Sequence, residues 1–306
     1  MVKLINWRRN KGKNKRKKVC KNMFIACSGG KHLASSLARK TGGCSCILET
    51  EIFPDSELRI RLPKEVKNWD VYFVQSFYKD QHDVNDKLVE ILFAAETAKE
   101  LGAKNIYLIA PYLSYLREDF RFREGEAISA KILSKLCKIF KKVYVVEPHL
   151  HRLKTFKEFF PNAQKISLSE EIASYIKKNI GKCMIVGPDE ESEQWVKPIA
   201  DKLKTEYVIL EKHRFSARKV KTEGRNISAD KVVIIDDIIS TGNTLIEASK
   251  LIKAKKIYFI AAHGVFAEGA LKKLNKHGKV IVSNTIPTKV SDIDCTSAIS
   301  KVIKLN

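Results

Sequence analysis

Residues 232–248 read VVIIDDIISTGNTLIEA. Four β-branched aliphatics, Val232 to Ile235, run into Asp236 and Asp237. Ser240, Thr241, Gly242, Asn243 and Thr244 follow, and then the spacing of a helix. A short, continuous β-branched run bounded by turn residues predicts a strand buried on both faces, as in a parallel sheet. In open parallel sheets, ligands bind beyond the carboxyl ends of the strands. Both aspartates fall at that edge. The 240–244 loop would curl over the start of the next helix, where unpaired N–H groups and the helix dipole favour an anion. Gly242 lets the backbone approach closely, and the hydroxyls of Ser240, Thr241 and Thr244 can add donors. Two carboxylates at contact distance would repel a phosphate. They suit sugar hydroxyls or magnesium a little further along the ligand, so a ribose 5-phosphate moiety meets every demand of the stretch. An ordinary Ser/Thr helix cap explains the loop alone, but not the whole string.

Working outward, aliphatic runs alternate with amphipathic segments. Strands are expected at 22–29, 70–77, 104–112 and 141–149, and helices at 31–42, 84–103 and 126–140. In the 84–103 helix, Leu88, Ile91, Leu92 and Ala95 share one face, and Gly102 ends it. A second run follows: helices at 169–181, 192–204 and 244–254, and strands at 182–189, 205–213, 231–238, 256–266 and 279–286. Such alternation predicts mostly parallel sheets flanked by helices. The fold class is therefore α/β with two domains of similar build, 23–158 and 159–306, joined around 150–165. A nucleotide-binding P-loop is excluded, because SGGKH at 28–32 lacks its spacing.

The 306 residues carry a formal charge of +22, unevenly placed. Residues 1–22 hold ten Lys or Arg and no acid, leaving +12 for the rest. That segment has no helical or strand periodicity and is read as a disordered basic arm, a solubilising tail first. Nucleic acid could be met only through this arm, by unspecific phosphate attraction. No apolar run approaches the roughly 18 residues that span a membrane. Seven scattered cysteines, without a secretory signal, read as reduced thiols of a cytoplasmic protein.

The 232–248 string resembles the PRPP-binding motif of type I phosphoribosyltransferases and of ribose-phosphate pyrophosphokinases. The N-terminal half favours the second family, closest to its archaeal-type members. ETEIFPDSELRIRLP (49–63) resembles the loop that in the family reaches a neighbouring subunit's ATP, which implies ATP contacts from Phe53, Asp55 and Glu57. APYLSYLREDFRFREGEAISAK (110–131) resembles a further ATP segment containing Arg117 and Asp119. VYVVEPH ends in His149, matching the family's magnesium-associated histidine, and VGPD ends in Asp189, at the loop facing pyrophosphate and metal. LEKHRFSARKV (210–220) resembles the flexible loop whose Lys212 and Arg214 would stabilise the transition state.

The resemblance implies two phosphoribosyltransferase-like domains and transfer of the β,γ-pyrophosphoryl group of ATP to O1 of ribose 5-phosphate. Mg2+ would be the cofactor, and the active unit at least a homodimer. Asp236, Asp237 and residues 240–244 would hold ribose 5-phosphate. Three positions depart from the family: Glu190 and Glu191 stand where small residues are usual, and Glu118 where glutamine is common. These departures motivate a second reading, a catalytically silent subunit of the same fold. A phosphoribosyltransferase consuming PRPP is the third.

Overall fold

The computed structural model describes residues 21–149, 156–214, 220–223, 227–303 and 305. In chain order the first half contains β1 (Asn22–Ala26), α1 (Ala34–Thr41), β2 (Cys44–Ile47), β3 (Glu49–Ile52) and β4 (Leu58–Arg61). It continues with β5 (Asp70–Val74), α2 (Val84–Glu100), β6 (Asn105–Ala110), α3 (Ser129–Leu136), β7 (Lys142–Val146) and β8 (Ala163–Ile166). The second half contains α4 (Ser169–Asn179), β9 (Met184–Gly187), α5 (Glu193–Leu203), β10 (Tyr207–Ile209), β11 (Glu211–Arg214) and β12 (Val220–Glu223). It ends with β13 (Ile227–Ile239), α6 (Asn243–Lys250), β14 (Ile252–Gly264), α7 (Ala270–Leu274), β15 (Lys279–Ser283), β16 (Ser291–Ile293) and α8 (Thr296–Val302).

Each half builds one six-stranded sheet, ordered β2-β1-β5-β6-β7-β8 and β10-β9-β13-β14-β15-β16. Every pairing within them is parallel. The two orders are the same when aligned from their second strands, so the molecule is one architecture used twice. The buried runs explain the central strands: β1 and β5 are buried along their whole length, as parallel strands covered on both faces must be.

The expected elements are present, with three differences. Strand β8, outside the expected strands, pairs with β7 and completes the first sheet. The expected 205–213 strand breaks at buried Leu210, whose N–H turns to Gly187; β11 then pairs with β12 in a separate hairpin. The expected 244–254 helix stops at Lys250, because Ile252 and Ala254 pair with Ile227 and Ala229. Asn22, the last residue of the basic segment and the first of the expected 22–29 strand, opens β1 as expected and is buried. Residues 1–20 of that arm lie outside the described residues.

The halves share a core. Phe24, Tyr72, Tyr107 and Tyr144 from the first sheet fall in one buried cluster with Ile172, Ile176, Val233, Ile260 and Ile299 from the second half. The Phe24 and Tyr72 rings stack at 4.8 Å and Tyr72 and Tyr107 at 4.4 Å. Each such pair is worth about 0.5–1.5 kcal/mol beyond its buried area. At the rim, α1 lies against α8, where Lys40 meets Ser297 at 2.6 Å and Asp294 at 3.6 Å. His32 Nε2 reaches the Asn284 carbonyl oxygen at 2.8 Å, and Ser76 Oγ donates to the Thr285 oxygen at 2.6 Å. These contacts bring the carboxyl edges of the two sheets to face each other.

Candidate active site

Strand β13 carries Asp236 and Asp237 to that shared edge, as the aliphatic run predicts. Asp237 is buried, and its carboxylate meets Nδ1 of His149, from the turn after β7, at 2.5 Å. A residue from each half therefore forms one contact, 88 positions apart in the chain. Asp236 accepts the Asp237 N–H at 2.9 Å. Burial, followed by the carboxylates of Asp237 and Asp189, holds the Asp236 carboxyl well above its ordinary value. Three acids converge here, Asp236, Asp237 and Asp189, an arrangement suited to hydroxyl donors or a divalent cation. Among the described residues, no three His, Cys, Asp or Glu side chains stand together as a ready metal cage.

Asp189 is buried at the end of β9, and its carboxylate accepts the Ser192 N–H at 3.2 Å. Gly187 before it is required by space: a Cβ there would lie 2.2 Å from Ser192 Oγ. Of the two unexpected glutamates, Glu190 is exposed and Glu191 half-buried. They line an open surface cleft with Glu193, Gln194, Lys197 and Pro198.

The 240–244 segment turns directly onto α6. Gly242 is the N-cap residue, at φ 77°, and having no side chain it makes no side-chain cap hydrogen bond to the helix. A Cβ on Gly242 would sit 3.0 Å from Leu274 Cδ1, so both conformation and space call for glycine. The topologically matching helix of the first half, α2, differs at this point. Asp83 accepts from the N–H groups of Asn85 and Asp86, and Asp86 accepts from Asp83 in return. Carboxylates already occupy the anion-favouring end of α2, whereas that of α6 is left to its backbone. The duplicated fold thus treats its two matching helix N-termini differently.

Arg117 is exposed and Asp119 buried in the segment after β6. Arg117 and Asp237 both act electrostatically on the Tyr112 hydroxyl, whose pKa is raised chiefly by burial. That relation ties the Arg117 segment to the aspartate pair. Phe53, Asp55 and Glu57 stand apart: they are exposed on the turn joining β3 to β4, where Phe53 N–H donates to the Glu57 oxygen at 2.8 Å. Lys212 and Arg214 lie on β11, in backbone register with Thr222 and Val220 of β12, which packs on α6. Their side chains, and residues 215–219, lie outside the described residues.

Sequence reasoning missed Tyr112, His263 and Glu147. Tyr112 lay in a quoted segment. His263 sits at the end of β14, paired with Ile238 of β13 two residues past Asp236, and its position at that sheet edge was the only available signal.

Comparison with known proteins gives the same two halves. Residues 22–140 match the N-terminal domain of ribose phosphate pyrophosphokinase, and residues 158–298 the phosphoribosyl transferase domain. The ribose-phosphate pyrophosphokinase of Pyrococcus abyssi is 35% identical over 292 residues, covering 93% of this chain and 98% of that one. The Pyrococcus furiosus protein of the same name is 36% identical, covering 92% of this chain and 100% of its own. The phosphoribosylpyrophosphate synthetase structure from Mycobacterium smegmatis superposes with a TM-score of 0.78 at 24% identity, covering 92% of this chain and 96% of that chain, which supports the fold. The chain belongs to the ribose-phosphate pyrophosphokinase family.

Proposed function

We propose that the protein transfers the β,γ-pyrophosphoryl group of ATP to O1 of ribose 5-phosphate, giving PRPP and AMP. The observation that carries this reading is the meeting of His149 with Asp237 on the strand that runs into the Gly242 turn and α6. A sugar-phosphate cradle and residues from the ATP-side half then serve one reaction space. The α6 amides and the 240–244 hydroxyls hold the 5-phosphate, and Asp236 and Asp237 orient the ribose hydroxyls. Arg117, with Asp119 behind it, meets the nucleotide.

The chemistry forms the O1–Pβ bond and breaks the bond between Pβ and the oxygen bridging to Pα. AMP leaves with the electron pair and O1 loses its proton. Such a transfer asks the protein for positioning and charge neutralisation more than covalent help. Lys212 and Arg214 supply positive charge over the transferring group. Mg2+ suits the hard oxygen donors of this edge and keeps most of its own waters, so His149 and Asp189 can serve it without a closed cage. When bound, it neutralises charge on the phosphate oxygens. The exposed tip at Phe53, Asp55 and Glu57 is free to serve the nucleotide of a second subunit, which supports a homodimer or larger assembly. Glu190, exposed on the outer cleft, leaves the pyrophosphate path to Asp189 and the backbone.

The test is product identity. Protein, Mg2+, ATP and ribose 5-phosphate should give AMP and PRPP in equal amounts by 31P NMR, with no AMP in the absence of the sugar. ADP as the nucleotide product, or no turnover by folded protein, rules the reading out. Pyrophosphate release from PRPP and a nucleobase, without ATP, would transfer the site to the phosphoribosyltransferase reading.

A further inference from the structure

His263 is only 2% exposed, at the end of β14, yet it takes no part in the chemistry described so far. Its Nε2 lies 3.1 Å from the carbonyl oxygens of both Val146 and Glu147, at the end of β7 in the other half. Its Nδ1 lies 2.9 Å from Thr285 Oγ1. Carbonyl oxygens only accept, so Nε2 carries the hydrogen. Thr285 Oγ1 lies 2.8 Å from the Ala262 oxygen as well, but Ser283 Oγ serves that oxygen at 2.6 Å, which leaves the Thr285 proton for Nδ1. Every polar atom of the ring is satisfied in the neutral form, and burial keeps it neutral by lowering its pKa to about 4.

The receiving turn is unusual. Glu147 has φ 34°, a left-handed value that costs a residue with a side chain of order 1 kcal/mol or more. Its carboxylate is anchored by Ser167 Oγ and the Leu168 N–H, both at 2.7 Å. Pro148 and His149 follow, and His149 meets Asp237. Tyr112, electrostatically linked to Arg117 and Asp237, packs its ring 5.0 Å from the His263 ring. One imidazole thus touches the β7 turn and the Tyr112 ring, and belongs to the half that carries Asp237.

We propose that His263 is a positioning residue: by donating to the end of β7 it sets the strained turn that delivers His149 to Asp237. The inference rests on the reading of His149 and Asp237 as one working pair. Orientation of this kind, one step behind a ligand, ordinarily changes metal affinity or activity 10–100-fold when removed.

The experiment compares His263→Asn, whose shorter amide cannot span to the β7 carbonyls, with His263→Gln, whose longer amide can. Both are measured in the intact protein and in a His149→Ala background, with thermal unfolding as the control for folding. His263→Asn should lower kcat about tenfold, leave KM for ribose 5-phosphate near its original value, and weaken binding of Mn2+ alone in calorimetry about tenfold. His263→Gln should recover most of each loss, and both effects should shrink to within twofold when His149 is absent. Equal losses with and without His149, or no rescue by Gln, would make His263 a merely structural residue and overturn the proposal. If His149→Ala alone leaves turnover unchanged, the pair reading fails instead. If the Asn variant does not fold, His263→Gln decides the case: altered Mn2+ binding despite a retained donor overturns it, and unaltered binding supports it.

Discussion

Asp236→Asn should make the free protein more stable at neutral pH while making it a poorer catalyst. The wild-type residue is half-buried, and desolvation together with the nearby carboxylates of Asp237 and Asp189 raises its pKa above the ordinary 3.8. A raised acid binds more protons folded than unfolded. Below pH 3.8 both states are protonated and the group is neutral to stability. As pH rises, the unfolded chain ionises first, so stability falls until the folded group ionises as well. The cost has a ceiling, because the folded protein can always take up the proton: the interval from 3.8 to pH 7, at 1.36 kcal/mol per unit, caps it at about 4 kcal/mol. Asparagine keeps an oxygen for the Asp237 N–H, now received at 2.9 Å. Thermal unfolding at pH 7 and pH 4, without ligand or metal, measures the effect. The variant should gain several degrees at pH 7 and much less at pH 4, while its turnover falls. A variant that is less stable at pH 7, or equally favoured at both pH values, would refute the like-charge account of this edge.

Three further outcomes are expected. Gly242→Ala forces a side chain into φ 77° and against Leu274, so it should cost roughly 1–2 kcal/mol in unfolding and raise KM for ribose 5-phosphate; unchanged KM would remove the 240–244 segment from the phosphate site. His263, lowered to about 4, favours the folded state above pH 6.5 and loses that contribution as pH falls toward 4, so acid unfolding should lose about 3 kcal/mol over that window and less in His263→Gln. Lys212→Ala or Arg214→Ala should cut kcat about 100- to 1000-fold, as loss of single preorganised donors does, with substrate KM values little changed.

Much of the fold could be read directly, because parallel strands advertise themselves. Val232 to Ile235, Asn105 to Ala110 and Lys142 to Val146 are aliphatic or aromatic runs that no exposed segment would carry. The strands that escaped are those lacking this signature. CSCI, ETEI and LRIR in β2, β3 and β4 alternate polar and apolar positions at partly exposed edges, and their pairing is decided by neighbours in space. The same holds for β8, AQKI, which pairs with β7 at the edge of the first sheet. At the site, Asp236, Asp237 and Gly242 were legible since local sequence alone fixes strand end, turn and helix start. His263 and Glu147 were not: a strand-end histidine acquires meaning only when a second sheet edge lies 3.1 Å away. The contrast between α2 and α6 is also partly hidden. Asp83 and Asp86 are visible as a capping pair, but only the shared strand order shows that they fill the place where α6 is open.

If residues from both halves act as one unit, a double-mutant cycle on His149→Ala and Asp237→Asn will reveal it. Single-turnover rates for ATP and ribose 5-phosphate would be measured for the two single variants and the double variant, with the fold checked by thermal unfolding. Groups that act together lose most of their effect with the first removal, so the double variant should be scarcely slower than the worse single one. Losses that simply multiply, or an Asp237→Asn variant with unchanged kinetics, would show that the contact across the two sheets is not the seat of the reaction.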